Sequence, residues 1–157
     1  MKKIFAVLGV TALGLFVMSS TCSTEASELS TAKESKVKAP AGPGISFEGM
    51  DLEKAKKEAK KTGKLIFIDA YTDWCGPCKR MAATSFKDQA VGDLFNEKFI
   101  NIKIEMEKDA DGPEIARLYR VVAYPTLLII DGNGKLVKQT MGMKTSEQLI
   151  AFGNSAL

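Results

Sequence analysis

Two cysteines separated by two residues are the feature of this sequence that could carry chemistry. They lie in the segment Trp74-Cys75-Gly76-Pro77-Cys78, between an apolar, β-rich run and a stretch with helical character. At the start of a helix, unpaired backbone N–H groups and the helix dipole stabilise a thiolate. Such settings lower the pKa of a cysteine from about 8.5 towards roughly 3.5–7.5, and the thiolate is the species that attacks a disulfide. The spacing therefore predicts Cys75 as a nucleophile and Cys78 as the cysteine that resolves the mixed disulfide.

Three other interpretations of the cysteine pair are open at this point. It could be half of a zinc site, although the sequence has no second CxxC pair and no histidine to complete the ligands. It could be a purely structural disulfide, although so short a loop removes little chain entropy. It could also consist of inert core cysteines, although its place between a strand and a helix argues against that. Redox chemistry is the favoured interpretation.

Composition excludes several other kinds of protein. The 157 residues include no histidine, which rules out Ser-His-Asp triads, Cys-His nucleophile pairs and HExxH zinc sites. The 22 basic and 19 acidic side chains give a formal charge of +3, too weak a basic balance for a nucleic-acid-binding protein. Hydrophobic residues make up 45% of the chain and charged residues 26%, which is an ordinary globular composition. These values indicate one folded domain plus an appendage.

The N-terminal part has the pattern of an export signal followed by a tether. A short basic start, the uncharged apolar run Ile4–Val17 and a group of small residues predict a secretory signal peptide over residues 1–22. Cys22 is a candidate for lipidation, which would anchor the protein to a membrane face. Cleavage that discards Cys22, or a spare cysteine on the tail, are the alternatives, since the three preceding residues depart from the lipoprotein pattern. Residues 23–44 are rich in Ser, Thr, Ala, Lys and Glu, and we predict a flexible linker there.

The remaining residues, 45–157, are predicted to form one domain of alternating helices and strands. The apolar run Leu65–Tyr71 has the character of a strand covered on both faces, and it leads directly into the cysteine pair. Asp51 is a predicted helix N-cap, and Thr145 with Gln148 predicts a capping box for the last helix. The other predicted elements are a first helix over 52–61 that stops at Gly63, helices over 88–98 and 111–120, strands over 99–104 and 126–131, a hairpin turn over 131–134 and an outer strand over 135–142. In the short helix over 111–120, Ile115, Leu118 and Tyr119 are predicted to lie on one side. This order indicates an α/β fold with a central mixed sheet flanked by helices.

The residues around the cysteines resemble a known family. IDAYTDWCGPCK, residues 68–79, looks like the active-site segment of the thioredoxin family. Tyr124-Pro125-Thr126 resembles the cis-proline loop of that family, and Gly142 resembles its glycine near the substrate groove. The similarity covers about residues 47–157, and it is greatest to the exported, thioredoxin-like disulfide reductases of bacterial envelopes. It implies the thioredoxin fold for this domain.

The resemblance also implies roles for two charged residues. Asp69 has the spacing of the buried acid of the family, which accepts a proton from the resolving cysteine. Burial between apolar neighbours would raise the pKa of this carboxyl towards neutrality, as a general base requires. Lys103 resembles the lysine partner of that acid. An exposed aspartate at a strand end and a solvated strand lysine are the alternatives.

Substrate contacts are implied for residues on either side of the cysteines. Trp74, Gly76 and Pro77 would shape the contact surface, together with Thr126 and Gly142. A cis bond before Pro125 would present the backbone of Tyr124 to a substrate strand. Tyr124 stands where a smaller Ile, Val or Thr is commoner, so the resemblance does not extend to the choice of partner.

The dipeptide between the cysteines indicates the direction of exchange. Gly-Pro is the thioredoxin type, whose potential is near about −270 mV, against about −120 mV for the strong periplasmic oxidant. We therefore expect a thiol-disulfide oxidoreductase that reduces disulfides of substrate proteins in the periplasm and is recharged by a membrane electron donor. We expect a monomer that needs no cofactor, since the cysteine pair carries two electrons itself, and that has no metal and no nucleic-acid partner. A disulfide oxidase or isomerase, and a redox-inactive peptide-binding module, are the alternatives.

Overall fold

The computed structural model describes residues 43–157. The predicted signal peptide (1–22), the candidate lipidation site Cys22 and all but the last two residues of the predicted linker (23–44) lie outside the described residues. Within the described range, no helix is long and apolar enough to cross a membrane. The elements are α1 (Leu52–Thr62), β1 (Leu65–Tyr71), α2 (Gly76–Ala83), a 3-10 turn (Ser85–Lys87), α3 (Gln89–Lys98), β2 (Phe99–Glu105), α4 (Gly112–Tyr119), β3 (Thr126–Ile130), β4 (Leu136–Met141) and α5 (Ser146–Asn154).

The strands form the predicted central mixed sheet, in the order β2-β1-β3-β4. β1 runs parallel to β2 and antiparallel to β3, and β3 pairs antiparallel with β4. The predicted hairpin between β3 and β4 is confirmed, since the N–H of Asp131 donates to the carbonyl of Lys135 at 3.0 Å. A short parallel bridge between Glu48 and Ile102 places the segment before α1 beside β2. The central strand, β1, is the one that leads into the cysteines.

The core consists of two clusters, one on each face of the sheet, because side chains alternate along each strand. Ile66 and Ile68 belong to the cluster under α1 and α4, which we call the aliphatic face. Phe67 belongs to the cluster under α2, α3 and α5, which we call the aromatic face. Burying each of these side chains contributes about 1.5–3 kcal/mol. The same alternation puts Asp69 on the aromatic face.

The helix ends follow the predicted caps. The side chain of Asp51 accepts a first-turn N–H of α1, and Gly63 ends that helix in the left-handed region with a φ of 74°. Thr145 and Gln148 form the predicted capping box of α5. Asp88 caps α3 in the same way as Asp51 caps α1. Local sequence therefore accounts for most helix boundaries.

Helix α4 differs from the expectation in two respects. Leu118, predicted to lie on one apolar side with Ile115 and Tyr119, is 45% exposed. The short helix buries Ile115 and Tyr119, which are four residues apart, and Leu118 lies at the edge of this buried side. Arg120 ends the helix in the left-handed region, with a φ of 52°, where glycine is the usual residue.

The described chain begins with a close backbone contact. A Cβ on Gly92 in α3 would lie 2.4 Å from the carbonyl oxygen of Gly44, and a Cβ on Gly44 would lie 2.2 Å from the carbonyl oxygen of Phe86. Asn96 joins the same segment to α3: its Nδ2 donates to the Gly44 carbonyl at 3.0 Å, and its Oδ1 accepts the Ser46 N–H at 2.8 Å. Gly44 is therefore packed on the domain.

Candidate active site

Cys75 and Cys78 are joined in a disulfide at the start of α2. Cys75 is the N-cap residue, and its sulfur accepts the backbone N–H of Cys78 at 3.2 Å. The N–H of Cys75 donates to the carbonyl of Thr72 at 3.1 Å, which closes the loop after β1. Pro77 lies in the first turn, where a backbone N–H would have no helical partner. A thiolate on Cys75 would therefore lie at the positive end of a helix.

Trp74 stands beside the disulfide with 66% of its surface exposed. Its Nε1–H donates to Oε2 of Glu107 at 3.0 Å. Its ring meets the ring of Tyr124 edge to face, with centroids 5.9 Å apart, a favourable arrangement for an aromatic pair. Two of the predicted substrate contacts are thus brought together, and we call Trp74 and Tyr124 the aromatic wall.

The loop before β3 joins the end of β4. The peptide bond between Tyr124 and Pro125 is cis. The carbonyl of Pro125 accepts the N–H of Gly142 at 2.8 Å, and Gly142 has a φ of 80°. Thr126 is buried, and its hydroxyl donates to the carbonyl of Ala123 at 2.7 Å. The structure therefore places three more predicted contact residues in one connected loop system.

Bare backbone and exposed methionines lie at the start of α2 and at the end of β4. A Cβ on Gly76 would meet nothing within 4 Å, so the first turn of α2 presents bare backbone. Met141 and Met143, on either side of Gly142, are 51% and 42% exposed. The N–H of Lys144 contacts Sδ of Met81 at 3.4 Å, which ties this turn to α2. Apolar side chains therefore lie at the surface on both sides of Gly142.

Asp69 and Lys103 form an ion pair on the aromatic face, with the carboxylate buried. Nζ of Lys103 lies 2.8 Å from Oδ2 of Asp69, whose side chain is 1% exposed. Within residues 43–157, Oδ1 of Asp69 has no hydrogen-bond partner. Burial raises the pKa of Asp69, and the charge of Lys103 offsets only part of that effect. A carboxyl with a raised pKa can hold and return a proton under milder conditions than an exposed one.

Three aromatic rings surround the ammonium of Lys103. Nζ lies 4.5 Å from the ring centroid of Tyr71, 5.0 Å from that of Phe47 and 5.5 Å from that of Phe86. Rings at these distances attract a cation, which keeps the lysine beside Asp69. Sequence reasoning missed this cage, because the rings come from three separate parts of the chain and no local pattern joins them.

Glu105 is a second buried acid that sequence reasoning missed. It is 4% exposed and lies at the end of β2. Its Oε1 accepts the N–H of Asp73 at 3.0 Å, and its Oε2 accepts the N–H groups of Glu107 at 2.9 Å and Lys108 at 2.6 Å. The ammonium of Lys108 pairs in turn with the carboxylate of Asp73. These contacts connect the loop after β2 to the loop that carries the cysteines.

Comparison with known proteins shows the family. Residues 52–156 match the sequence model of the family described as thioredoxin-like domain, so the chain belongs to the thioredoxin-like family. The solved structure of a candidate disulphide-isomerase from Bacteroides thetaiotaomicron superposes with a TM-score of 0.63 and 40% identity, covering 73% of this chain and 96% of that one. The predicted family and the thioredoxin fold are confirmed.

Two curated relatives are enzymes of thiol-disulfide exchange by name. The thiol:disulfide interchange protein DsbD of Actinobacillus pleuropneumoniae is 32% identical over 99 residues, which is 61% of this chain but only 17% of that protein. The thiol-disulfide oxidoreductase ResA of Bacillus thuringiensis is 30% identical over 122 residues, 66% of this chain and 70% of that protein. The chain is a thioredoxin-like protein that is similar in sequence to thiol-disulfide oxidoreductases, with Cys75 and Cys78 at disulfide-bonding distance.

Proposed function

We propose that the protein reduces disulfide bonds of other proteins outside the cytoplasm through its Cys75–Cys78 dithiol. The observation that carries the proposal is the disulfide at the start of α2, beside the exposed aromatic wall and the cis-proline loop. A redox pair needs a surface on which a partner chain can lie, and the bare backbone at Gly76 leaves room for one.

The reduced pair acts in two exchange steps. The thiolate of Cys75 attacks one sulfur of the substrate disulfide, that S–S bond breaks, and the other substrate sulfur leaves and takes a proton. Cys78 then loses its proton and attacks the sulfur of Cys75, so the mixed disulfide breaks and the second substrate sulfur leaves and takes a proton. The substrate gains two electrons and two protons, and the Cys75–Cys78 disulfide forms. In this proposal Asp69 takes the proton of Cys78, a role that its raised pKa supports.

Two features favour reduction over oxidation. The dipeptide between the cysteines is Gly-Pro, and the chain has no histidine with which to stabilise the Cys75 thiolate further. Relatives with Gly-Pro have potentials near about −270 mV. Because extracytoplasmic spaces are oxidising, such a pair must be recharged by a dithiol donor, which we propose to be a membrane protein.

The extracytoplasmic location rests on the N-terminal sequence. Residues 1–22 have the basic, apolar and small-residue regions of an export signal, and Cys22 could accept a lipid. Residues 23–44 would then tether the domain to the membrane face. Mass spectrometry of the mature protein tests this: a lipid on Cys22 supports the anchor, and a mature N-terminus beyond Cys22 contradicts it.

A redox titration of the purified protein tests the proposed direction. We would equilibrate it in glutathione or dithiothreitol buffers and follow Trp74 fluorescence together with free thiols by mass. A midpoint near about −270 mV or lower supports a reductase, whereas a midpoint above about −150 mV indicates disulfide formation. No thiol exchange at all would mean that the cysteine pair is redox-inactive. That result would favour the alternative of a redox-inactive peptide-binding module.

Disulfide isomerisation is the second candidate function. The 40% identical Bacteroides protein is named a candidate disulphide-isomerase, which supports this alternative. Recovery of a protein with scrambled disulfides, measured with catalytic amounts of this protein and no added reductant, distinguishes the two. A reductase alone would not restore native pairing under those conditions.

A further inference from the structure

We propose that Glu105 is a positioning residue of the redox site. Its buried carboxylate holds the backbone that leads into Cys75, and its negative charge favours the disulfide form over the dithiol form. The inference rests on the proposed function, since it concerns the redox equilibrium of the Cys75–Cys78 pair.

The register of the sheet brings Glu105 to the active-site loop. Glu105 is the β2 partner of Tyr71, so the two parallel strands end side by side. The N–H of Met106 donates to the carbonyl of Tyr71 at 2.9 Å, which holds the two strand ends together. From there Oε1 of Glu105 accepts the N–H of Asp73, two residues before Cys75. The carboxylate therefore fixes the backbone immediately ahead of the nucleophile.

Backbone N–H groups bind the carboxylate of Glu105. A buried carboxylate is costly unless its oxygens accept hydrogen bonds. Here three backbone N–H groups, those of Asp73, Glu107 and Lys108, point at the two oxygens and form an anion-binding nest. Such donors satisfy the oxygens of a carboxylate and bring no cation to it.

The surroundings of Glu105 are mostly negative. The other charged or titratable groups that face it are Asp73, Glu107, Lys108, Asp109, Tyr71 and Tyr124. Lys108 is the one cation in that set, and it is paired with Asp73. The oxidised pair is neutral, whereas the reduced pair carries a thiolate on Cys75 that nearby carboxylates repel. Negative charge here therefore lowers the stability of the reduced form and makes the protein more reducing.

The test compares Glu105→Gln with the wild-type protein. We expect the equilibrium with glutathione to move about tenfold towards the dithiol, or about 30 mV for two electrons. We also expect the pH profile of Cys75 alkylation in the reduced protein to move to lower pH. A folded Glu105→Gln protein with an equilibrium constant within about twofold of wild type, and an unchanged profile, would overturn the inference.

Asp131→Asn is the matched control. Oδ1 of Asp131 also accepts two backbone N–H groups, those of Asn133 at 2.8 Å and Lys135 at 2.9 Å. It lies in the hairpin turn after β3, whereas Pro125 lies at the opposite end of that strand. Asp131→Asn should lower stability and leave the redox equilibrium and the alkylation profile unchanged. An equal shift in both variants would mean that the Glu105 effect is not local.

A surface variant covers the case in which Glu105→Gln does not fold. The side chain of Lys108 is 67% exposed, so Lys108→Gln should fold normally. It leaves Asp73 without its cation, and we expect the opposite sign: a shift of a few fold towards the disulfide and alkylation at higher pH. No shift, or a shift towards the dithiol, would contradict the proposal that negative charge near Cys75 destabilises the dithiol form.

Failure of the proposed function is a separate result. If the wild-type protein exchanges no thiols with glutathione, the proposed function is wrong, and hydrogen exchange then tests the positioning role alone. The amide of Asp73 should be protected in the wild-type protein and in Lys108→Gln but not in Glu105→Gln. Equal protection of that amide in Glu105→Gln would overturn the positioning role as well.

Discussion

Asp69 and Lys103 are register partners on the parallel strands β1 and β2, and the lysine Nζ lies 2.8 Å from Oδ2 of the aspartate. The two side chains differ in access to solvent, since Asp69 is 1% exposed and Lys103 is 27% exposed. The pair therefore joins a buried carboxyl to a cation that reaches the surface. This relationship leads to the first prediction.

Asp69→Asn should change the pH dependence of stability. Because burial raises the pKa of Asp69, the native state binds its proton more tightly than the unfolded chain does. Wild-type stability should therefore fall as the pH rises from the ordinary value of 3.8 through the raised native value. The variant lacks this loss, so it should gain stability relative to wild type between about pH 3 and pH 7. Thermal melts at both pH values measure the change.

Asp131→Asn provides the opposite sign as a control for that experiment. Hydrogen bonds from backbone N–H groups lower the pKa of Asp131, so its stabilising contribution is present above 3.8 and is lost as the pH falls. This variant should be less stable than wild type at pH 7, with a smaller difference at low pH. A gap between Asp69→Asn and wild type that is independent of pH would contradict the assigned environment of Asp69.

Cys78→Ser should trap a covalent complex. If Cys75 is the nucleophile, the mixed disulfide with substrate forms as usual, but no resolving thiolate remains to release it. Incubation of the reduced variant with a disulfide-bonded protein should give a one-to-one adduct by mass, which dithiothreitol reverses. Cys75→Ser should form much less of the adduct. More adduct through Cys78 than through Cys75 would reverse the assigned roles.

Trp74→Ala should weaken substrate binding more than it weakens the fold. Trp74 is 66% exposed and contacts Tyr124 and Glu107, so its removal should cost less than about 1 kcal/mol of stability. The loss of an exposed aromatic contact should raise KM for a protein disulfide about tenfold and leave kcat nearly unchanged. Steady-state kinetics and a thermal melt measure the two effects.

Leu136→Ala is the matched control for that variant. Leu136 is also exposed, at 39%, but it pairs with Ile130 at the opposite end of β3 from Pro125. Its removal should leave KM unchanged. If Trp74→Ala also leaves KM unchanged, the aromatic wall is not a substrate contact.

Arg120→Gly should stabilise the domain, by about 0.5–1 kcal/mol. Arg120 has a φ of 52° at the end of α4, a conformation that costs a residue with a Cβ about 1–2 kcal/mol. Part of the gain is lost because glycine makes the unfolded chain more flexible. Gly63→Ala is the reciprocal variant: its φ is 74° and a Cβ there would meet nothing within 4 Å, so only backbone strain opposes it. Gly63→Ala should lower the free energy of unfolding by about 1 kcal/mol. Denaturant titrations in which Gly63→Ala is as stable as Arg120→Gly, or more stable, would contradict this account.

The features that could be predicted from the sequence depend on short stretches of chain. The caps at Asp51 and Thr145, the glycine stop at Gly63 and the strand that leads into Cys75 each rest on a few neighbouring residues, and the structure contains all of them. The ion pair of Asp69 needed more than the sequence pattern. It was expected only from the resemblance to a family, because spacing alone allowed an exposed aspartate.

The missed features depend on which residues of distant segments meet. Glu105 reaches the active-site loop because it is the partner of Tyr71 in the β1–β2 register, and a shift of one residue would turn it to the other face. Phe47 covers Lys103 because the segment before α1 lies beside β2. Neither strand register nor the path of that segment is encoded locally.

The sheet also separates residues that surround the Asp69–Lys103 ion pair from residues that only fill the core. Asp69 and Lys103 share the aromatic face, so substitutions at Phe67 or Phe86 alter the surroundings of that ion pair. The isoleucines of the aliphatic face lie across the backbone of β1 from that pair. Substitutions that raise thermal stability are therefore easier to make on the aliphatic face. There, residues can be exchanged for others of equal volume without changing the surroundings of the Asp69–Lys103 ion pair.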